Sequence, residues 1–407
     1  MESGIKEMFK DFMEGLPTGH ENAADGLQAV PEIRTDGEDP TEEVSGPGNE
    51  PDEEFVAYPE VGVEEFREKM EKANREYGPL KEADAFGNVY GEGKKKRHGL
   101  FDKFKKKEAG KMRLGSIEAG GTKMICAVVS EDGEILKRMS VPTKRPEETL
   151  PLMHAFFEEN EVDCLGIACF GPIDLDKNSP TYGYITTTPK EGWANTDMVG
   201  AFSDLGVPVG FDTDVNGSVT GEAAFGIAKG IKNVVYFTIG TGVGAGILCE
   251  GNLVHGMMHP EGGHVLLTKR EDDPMAGSNC PFHPNCFEGL CAGPAIMKRW
   301  GKPGAELADR EEVWDLEAYY IAQALVDFTM ILSPEMFILG GGVSHQTQIL
   351  PLVRKYYAQM MNGYIKTKRL EDLDSYIVCQ SLNDEQGILG AAIIGRKAYD
   401  ASVMRSL

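Results

Sequence analysis

Between residues 112 and 407 apolar and polar positions fall into blocks, each the length of one strand or one helix. Arg113 to Glu118, Met124 to Ser130 and Glu134 to Val141 are short runs rich in aliphatic and β-branched residues. The turn sequences at 119–123 and Asp132-Gly133 separate them, so they predict an antiparallel meander. Pro146 to Asn160 places Leu150, Met153, Phe156 and Phe157 on one face and predicts an amphipathic helix. Val162 to Phe170 is an apolar strand pattern, and Val207 to Phe211 is a shorter one. Gly217 to Ala228 predicts a helix. Val234 to Ile239 reads as a buried strand and Val243 to Cys249 as its returning partner across Gly240-Thr241-Gly242. Helices are expected at Ala292 to Trp300, Glu312 to Leu332, Leu350 to Met361 and Gly387 to Ala398, and strands at Met336 to Leu339 and Ser375 to Gln380.

Residues 1–111 are a different kind of polymer. Residues 1–93 carry about −17 in side-chain charge, and residues 94–111 (KKKRHGLFDKFKKKEAGK) about +7. The stretch 37–54 (GEDPTEEVSGPGNEPDEE) has too little apolar surface to offset the entropy of ordering it, and reads as a flexible linker. Met1 to Glu14 has a short helical pattern. A better one runs from Val63 to Tyr77, where Val63, Phe66, Met70, Ala73 and Tyr77 share a stripe. Such a helix docks on its own catalytic domain, on a subunit neighbour or on another protein, and the sequence identifies no partner for it. The basic stretch reads as a solvated hinge pairing loosely with the acidic tail.

Three glycine turns each follow a strand: 119–123 (AGGTK), 240–242 (GTG) and 340–342 (GGG). Glycine lets backbone N–H groups approach a phosphate closely, and Thr241 adds a hydroxyl; an unliganded hairpin has the same composition. Glu118, beside the first turn, is placed to hold a metal ion through water. The strand ending at Phe211 runs into Asp212-Thr213-Asp214-Val215-Asn216, ahead of a helix. A carboxylate at a strand's C-terminal end is well placed for chemistry in an α/β sheet. Helix capping by Asp214 or Asn216 is the plainer use of the same residues.

His264, Cys280, His283 and Cys286 have the spacing H-x15-C-x2-H-x2-C. Two thiolates and two imidazoles make a tetrahedral zinc site. The loop between them (KREDDPMAGSN) has no core of its own, and a metal would supply a cross-link. A redox pair or chance clustering would leave the same residues. Cys291 has no matching ligand spacing, and Cys126, Cys164, Cys169, Cys249 and Cys379 fall in apolar segments as core thiols.

The motifs IEAGGTK (117–123), FGPID (170–174), FDTDVNG (211–217), TIGTGVGAG (238–246), HPEGGH (259–264) and LGGGV (339–343) stand in the order found in ROK-family sugar kinases. Residues 112–407 resemble the bacterial fructokinases of that family. The resemblance implies an α/β, actin-like (ribonuclease-H-like) fold with two lobes around an ATP cleft. The expected division is 112–226 with the C-terminal helix 386–400 as the first lobe, and 227–385 as the second lobe with the zinc loop 264–286. It implies Asp214 as the base that takes the proton from the attacking hydroxyl. Gly120, Gly121, Thr122, Lys123, Gly240, Thr241 and Gly242 would hold the ATP phosphates, and Gly340, Gly341 and Gly342 the adenosine. Gly171, Pro172, Trp193, Asn216, Glu261 and His264 would bind the hexose, with Trp193 a wall in the loop 187–195 (TTPKEGWAN). Mg²⁺ would be held indirectly by Glu118, where the family usually has Asp, and a structural Zn²⁺ by His264, Cys280, His283 and Cys286. Fructose is the expected hexose; glucose, mannose and an N-acetylhexosamine are alternatives. A homodimer is expected. A sugar-responsive repressor of the same family would need a compact N-terminal DNA-binding module, which residues 1–111 lack.

Composition narrows the partners. A formal net charge of −24 opposes nucleic acid as a main partner. No apolar run approaches the roughly 18 residues of a membrane span, and the N-terminus MESGIKEMFKDF has no apolar signal core. Eight cysteines in a long chain of this kind suggest reduced thiols, so a cytoplasmic location is expected.

Overall fold

The structure is a computed structural model that describes residues 111–188, 190–346 and 348–406. The helices expected at 1–14 and 63–77, the acidic linker and the basic stretch up to residue 110 lie outside the described residues.

Two five-stranded sheets carry the fold. The first contains β1 (Arg113–Ala119), β2 (Lys123–Ser130), β3 (Ile135–Pro142), β4 (Cys164–Cys169) and β7 (Val209–Thr213), ordered β3-β2-β1-β4-β7. Here β1, β2 and β3 form the antiparallel meander, while β4 and β7 add in parallel beside β1. The two-residue strands β5 (Tyr184–Ile185) and β6 (Thr196–Asp197) pair separately. The second sheet contains β8 (Val234–Ile239), β9 (Val243–Cys249), β10 (Asn252–Leu253), β11 (Met336–Gly340) and β12 (Ile377–Cys379), ordered β10-β9-β8-β11-β12. Its plan repeats the first: two antiparallel pairings, then two parallel ones. Under this repeat β8 matches β1 and β9 matches β2. The turns at 120–122 and 240–242 therefore occupy equivalent places, each joining the central strand to its antiparallel neighbour.

Helices cover the sheets. α1 (Pro146–Glu159) packs Met153 and Phe157 into the core of the first sheet. α2 (Asp214–Ala224) follows β7 directly. In the second half come α3 (Phe287–Cys291), α4 (Gly293–Trp300), α5 (Glu311–Leu332) and α6 (Ile349–Met361); α3–α6 all contribute to the cluster holding Phe237, Phe328 and Phe337. α7 (Gln386–Ser406) returns from the end of the chain to the first sheet, where Ile388, Leu389 and Ala392 join Leu114, Ile125 and Cys164. This close approach depends on missing side chains: a Cβ on Gly390 would lie 1.7 Å from the Gly217 carbonyl oxygen of α2. Ser116 Oγ of β1 donates to the Ile388 carbonyl at 2.5 Å and fixes the same helix.

Several elements differ from the pattern in sequence. The helix expected from Gly217 starts three residues earlier, at Asp214, because Thr213 caps it by accepting from Asn216 N–H at 3.2 Å. Neither Asp214 nor Asn216 is the cap. The helix expected over Ala292–Trp300 is α4, Gly293–Trp300, with Ala292 at its N-cap; the sequence pattern does not predict the short α3 ahead of it. The strand expected over Ser375–Gln380 is Ile377–Cys379, since Leu373–Tyr376 forms a helical turn under the Asp372 carboxylate. α7 runs on to Ser406, past the expected Ala398. Cys126, Cys164 and Cys169 are buried as expected, whereas Cys249 is exposed at the end of β9 and Cys379 is half-buried.

Candidate active site

The two equivalent hairpins present backbone donors. In the first, Gly120 N–H closes the turn onto the Lys123 carbonyl at 3.1 Å, while the N–H groups of Gly121 and Thr122 meet no protein acceptor among the described residues. In the second, Gly240 N–H bonds the Gly242 carbonyl at 2.9 Å, and Thr241 and Gly242 N–H likewise have no protein acceptor. Free donors at the tips of glycine turns are an anion-binding arrangement. The third turn adjoins the second: a Cβ on Gly240 would come 3.9 Å from Gly342 N. Within that third turn the glycines serve different needs. Gly340, the last residue of β11, is buried against Tyr236, whose hydroxyl a Cβ there would meet at 2.0 Å. Gly341 adopts φ +80° against the backbone of Ile239.

Asp214 opens α2 at the C-terminal end of β7, and its Oδ1 accepts from Val215 N–H at 2.9 Å. Val215 faces β9, where a Cβ on Gly246 would lie 2.1 Å from the Val215 carbonyl oxygen. The glycines following the second turn therefore let α2 seat on the opposite half of the molecule. Asp214 retains some accessible surface, yet surrounding protein desolvates the carboxyl and pushes it up to about 6, against the opposing pull of backbone N–H groups. Glu118, at the end of β1, is raised to about 7 by burial first and by the Asp214 charge second; Lys123 and Arg138 act in the opposite direction. Its Oε2 is buried and accepts no hydrogen bond. A buried carboxylate with an orphaned oxygen, raised in part by the charge of Asp214 beside it, fits a divalent cation held at Glu118.

The residues expected to meet a hexose come from both halves. Gly171 and Pro172 follow β4; a Cβ on Gly171 would lie 3.2 Å from Cε1 of His259, in the segment that carries Glu261 and His264. Buried His259 accepts from Ile173 N–H through Nε2 at 3.1 Å. Burial also lowers its tendency to protonate, so the ring is neutral and Nδ1–H points to Glu261 Oε1, 3.3 Å away. Glu261 itself keeps a partly accessible side chain, and desolvation raises its carboxyl.

Two expectations are corrected. Asn216 is 1% exposed; its Nδ2 donates to Asp212 Oδ1 at 2.7 Å, and its Oδ1 is sealed from solvent, so the amide does not face an open hexose site. Trp193 has no accessible surface. Its Nε1–H donates to the Lys144 carbonyl at 2.6 Å and its ring meets Phe170 edge-on, so it stands behind the pocket rather than lining it.

His264, Cys280, His283 and Cys286 come together with all four ligand atoms within 4.8 Å of one another. Cys280 Sγ lies 3.5 Å from His283 Nδ1 and 3.9 Å from His264 Nδ1, and Cys286 Sγ lies 3.6 Å from His264 Nδ1. Ligands at ordinary Zn–S and Zn–N lengths on a tetrahedron stand about 3.6 Å apart, so the donor set fits zinc. Both imidazoles turn Nδ1 inward. The outward Nε2 of His264 lies 3.9 Å from Glu288 Oε1, and Glu288 Oε2 accepts from Val243 N–H at 3.0 Å.

Three residues outside the expected set stand out here. Glu288 ties the cysteine–histidine loop to the second glycine turn; a carboxylate two positions after Cys286 was the available signal. Asp212 accepts from Asn216 Nδ2 and from Thr213 N–H at 2.9 Å. Its partner His255, 3.0 Å away, comes from the segment after β10, and nothing in the spacing of 212 and 255 marks the pair.

A doubled sheet with one glycine hairpin at the same place in each half is the actin-like ATPase fold. The ROK-family model matches residues 114–398, and the chain belongs to that family. It is similar to a fructokinase of Pediococcus pentosaceus, 43% identical across 70% of this chain and 99% of the relative, and to one of Streptococcus mutans, 44% identical across 70% and 96%. In structure it is similar to a ROK hexokinase of Thermus thermophilus, with a TM-score of 0.60 at 22% identity, across 71% of this chain and all of that one.

Proposed function

We propose that the protein is an ATP-dependent hexose kinase that phosphorylates fructose to fructose 6-phosphate. The carrying observation is the placement of Asp214: at the head of α2, within electrostatic reach of Glu118 beside the first glycine turn, and one residue from the contact of Val215 with β9 beyond the second. The family membership and the two fructokinase relatives support the substrate choice.

In this reading the free N–H groups of Gly121 and Thr122 bind phosphate oxygens from one half, and those of Thr241 and Gly242 from the other. Gly342 lies toward the adenosine. The hexose sits between Gly171-Pro172 and the Glu261–His264 segment, with its reacting hydroxyl on Asp214. Asp214, with a carboxyl near 6, is ionised at neutral pH and takes the hydroxyl proton as the phosphoryl group transfers. Transfer of this kind relies on positioning and charge stabilisation more than on covalent help. Glu118 would hold Mg²⁺, whose role is to neutralise phosphate charge. His264, Cys280, His283 and Cys286 would hold a structural zinc with no open coordination position, keeping the loop that presents Glu261 in place.

A coupled assay of ADP release across fructose, glucose, mannose and N-acetylhexosamines tests the reading. Fructose is expected to give the highest kcat/KM; absence of ADP release with every hexose would refute the kinase assignment.

A further inference from the structure

We propose that Lys190 is a catalytic residue of the phosphoryl transfer, a cation brought to the donor's terminal phosphate by the loop that begins at the hexose pocket; this rests on the kinase reading above. The loop spans both sites. At its start, Thr186 N–H and Oγ1 donate to the Pro172 carbonyl at 2.9 and 3.0 Å, which ties it to the hexose side. At its tip, Lys190 Nζ donates to the Gly121 carbonyl at 2.6 Å, which places the ammonium on the first phosphate turn. That oxygen shares a trans peptide with the free Thr122 N–H, which points to the opposite side, and the Gly121 N–H belongs to the peptide before it. The flexible lysine stem therefore has to carry Nζ around the turn to reach a phosphate held by these donors.

The rest of the loop is built to hold this position. Asn195 N–H bonds the Thr186 carbonyl at 3.1 Å and closes the base, and Trp193 N–H bonds the Lys190 carbonyl at 3.1 Å beneath the tip. The buried Trp193 indole pins that turn to Lys144, and Glu191 pairs with Arg145. The core position of Trp193 thus finds its use: it anchors Lys190.

A neutral carbonyl is a weak partner for an ammonium, and a phosphate oxygen is a stronger one. Lysine is a point charge on a flexible stem, suited to leaving one for the other. With nucleotide bound, Nζ leaves Gly121 and meets the oxygens of the transferring group. In the step itself the sugar oxygen forms a bond to the γ-phosphorus, the bond from that phosphorus to the β–γ bridging oxygen breaks, the hydroxyl proton passes to Asp214 and ADP departs. Lys190 supplies positive charge to the equatorial oxygens and takes no proton.

The test uses the full chain, ATP, Mg²⁺ and the hexose that the panel shows wild type to turn over best. For Lys190→Met the expected result is a kcat lower by about 100-fold, as for loss of one preorganised charge-stabilising group. The hexose KM should stay within about threefold and the melting temperature should hold. Lys190→Arg, or methylammonium added to Lys190→Ala, should recover at least about tenfold of the loss, which a purely structural role would not allow. A Lys190→Met kcat within about tenfold of wild type overturns the proposal, and so does a larger loss that neither Arg nor methylammonium reverses. Inactivity of the wild type on every hexose is a separate outcome: it refutes the kinase reading and removes the reaction that Lys190 would serve.

Discussion

Asp214 owes its chemistry to position more than to residue type. The same carboxylate on an exposed helix would titrate near 4; at the buried junction of β7 and α2 it rises to about 6. It must be ionised to accept a proton, so kcat/KM for the hexose should fall tenfold per pH unit below about 6 and level off above it, read from a pH–rate profile. Asp214→Asn should keep hexose and ATP binding, measured by calorimetry, and lose about a thousandfold or more in kcat; wild-type turnover would remove Asp214 from the base role. At this scale the sequence was readable wherever backbone decides. Glycine turns and the strand-end acid announce themselves, because a missing Cβ or a chain reversal is a property of residue type. Side-chain direction is not. Asn216 stands two residues from Asp214 and looks equally available, yet Asp212 draws its amide inward. Trp193 sits in a polar loop, yet its indole finds a carbonyl in the core.

Among the elements, the loop from His264 to Cys286 depends most on something besides apolar burial. Its side-chain anchors include Arg299, buried with Asp273 and Glu317, and the four candidate ligands. Chelation should release about one zinc per chain and lower the melting temperature, measured by metal analysis and calorimetry on the same sample. Cys280→Ser should do the same without chelator. Glu288 joins this loop to Val243, so metal loss should also weaken ATP binding. The junction of α7 with α2 is the opposite case, held by contact alone. Gly390→Ala places a methyl where the Gly217 carbonyl stands, and should destabilise the fold by about 2 kcal/mol in urea denaturation. Helix periodicity revealed both helices, but not that they touch without side chains between them. The cap at Thr213 was hidden for a related reason: three neighbouring residues could each cap, and only the path out of β7 selects one.

At the scale of the molecule, one sheet plan occurs twice, with a glycine hairpin at the equivalent place in each copy. The hairpins read as separate weak motifs until strand order shows them to be equivalent. The same scale sets the expectation for residues 1–110. The family match begins at residue 114, and the relatives of Pediococcus pentosaceus and Streptococcus mutans are covered across 99% and 96% of their lengths by about 70% of this chain. Every residue assigned above to nucleotide, hexose or metal lies at 118 or beyond. β1 begins at Arg113, whose N–H donates to Asp163 Oδ2 at 2.8 Å, so the first strand is anchored from within the described residues. A chain starting at Lys111 should therefore fold and keep kcat and both KM values within about threefold of the full chain. Loss of activity in a truncated chain that melts normally would mean that the N-terminal residues complete the site or its assembly. A lowered melting temperature with activity retained would assign them to stability.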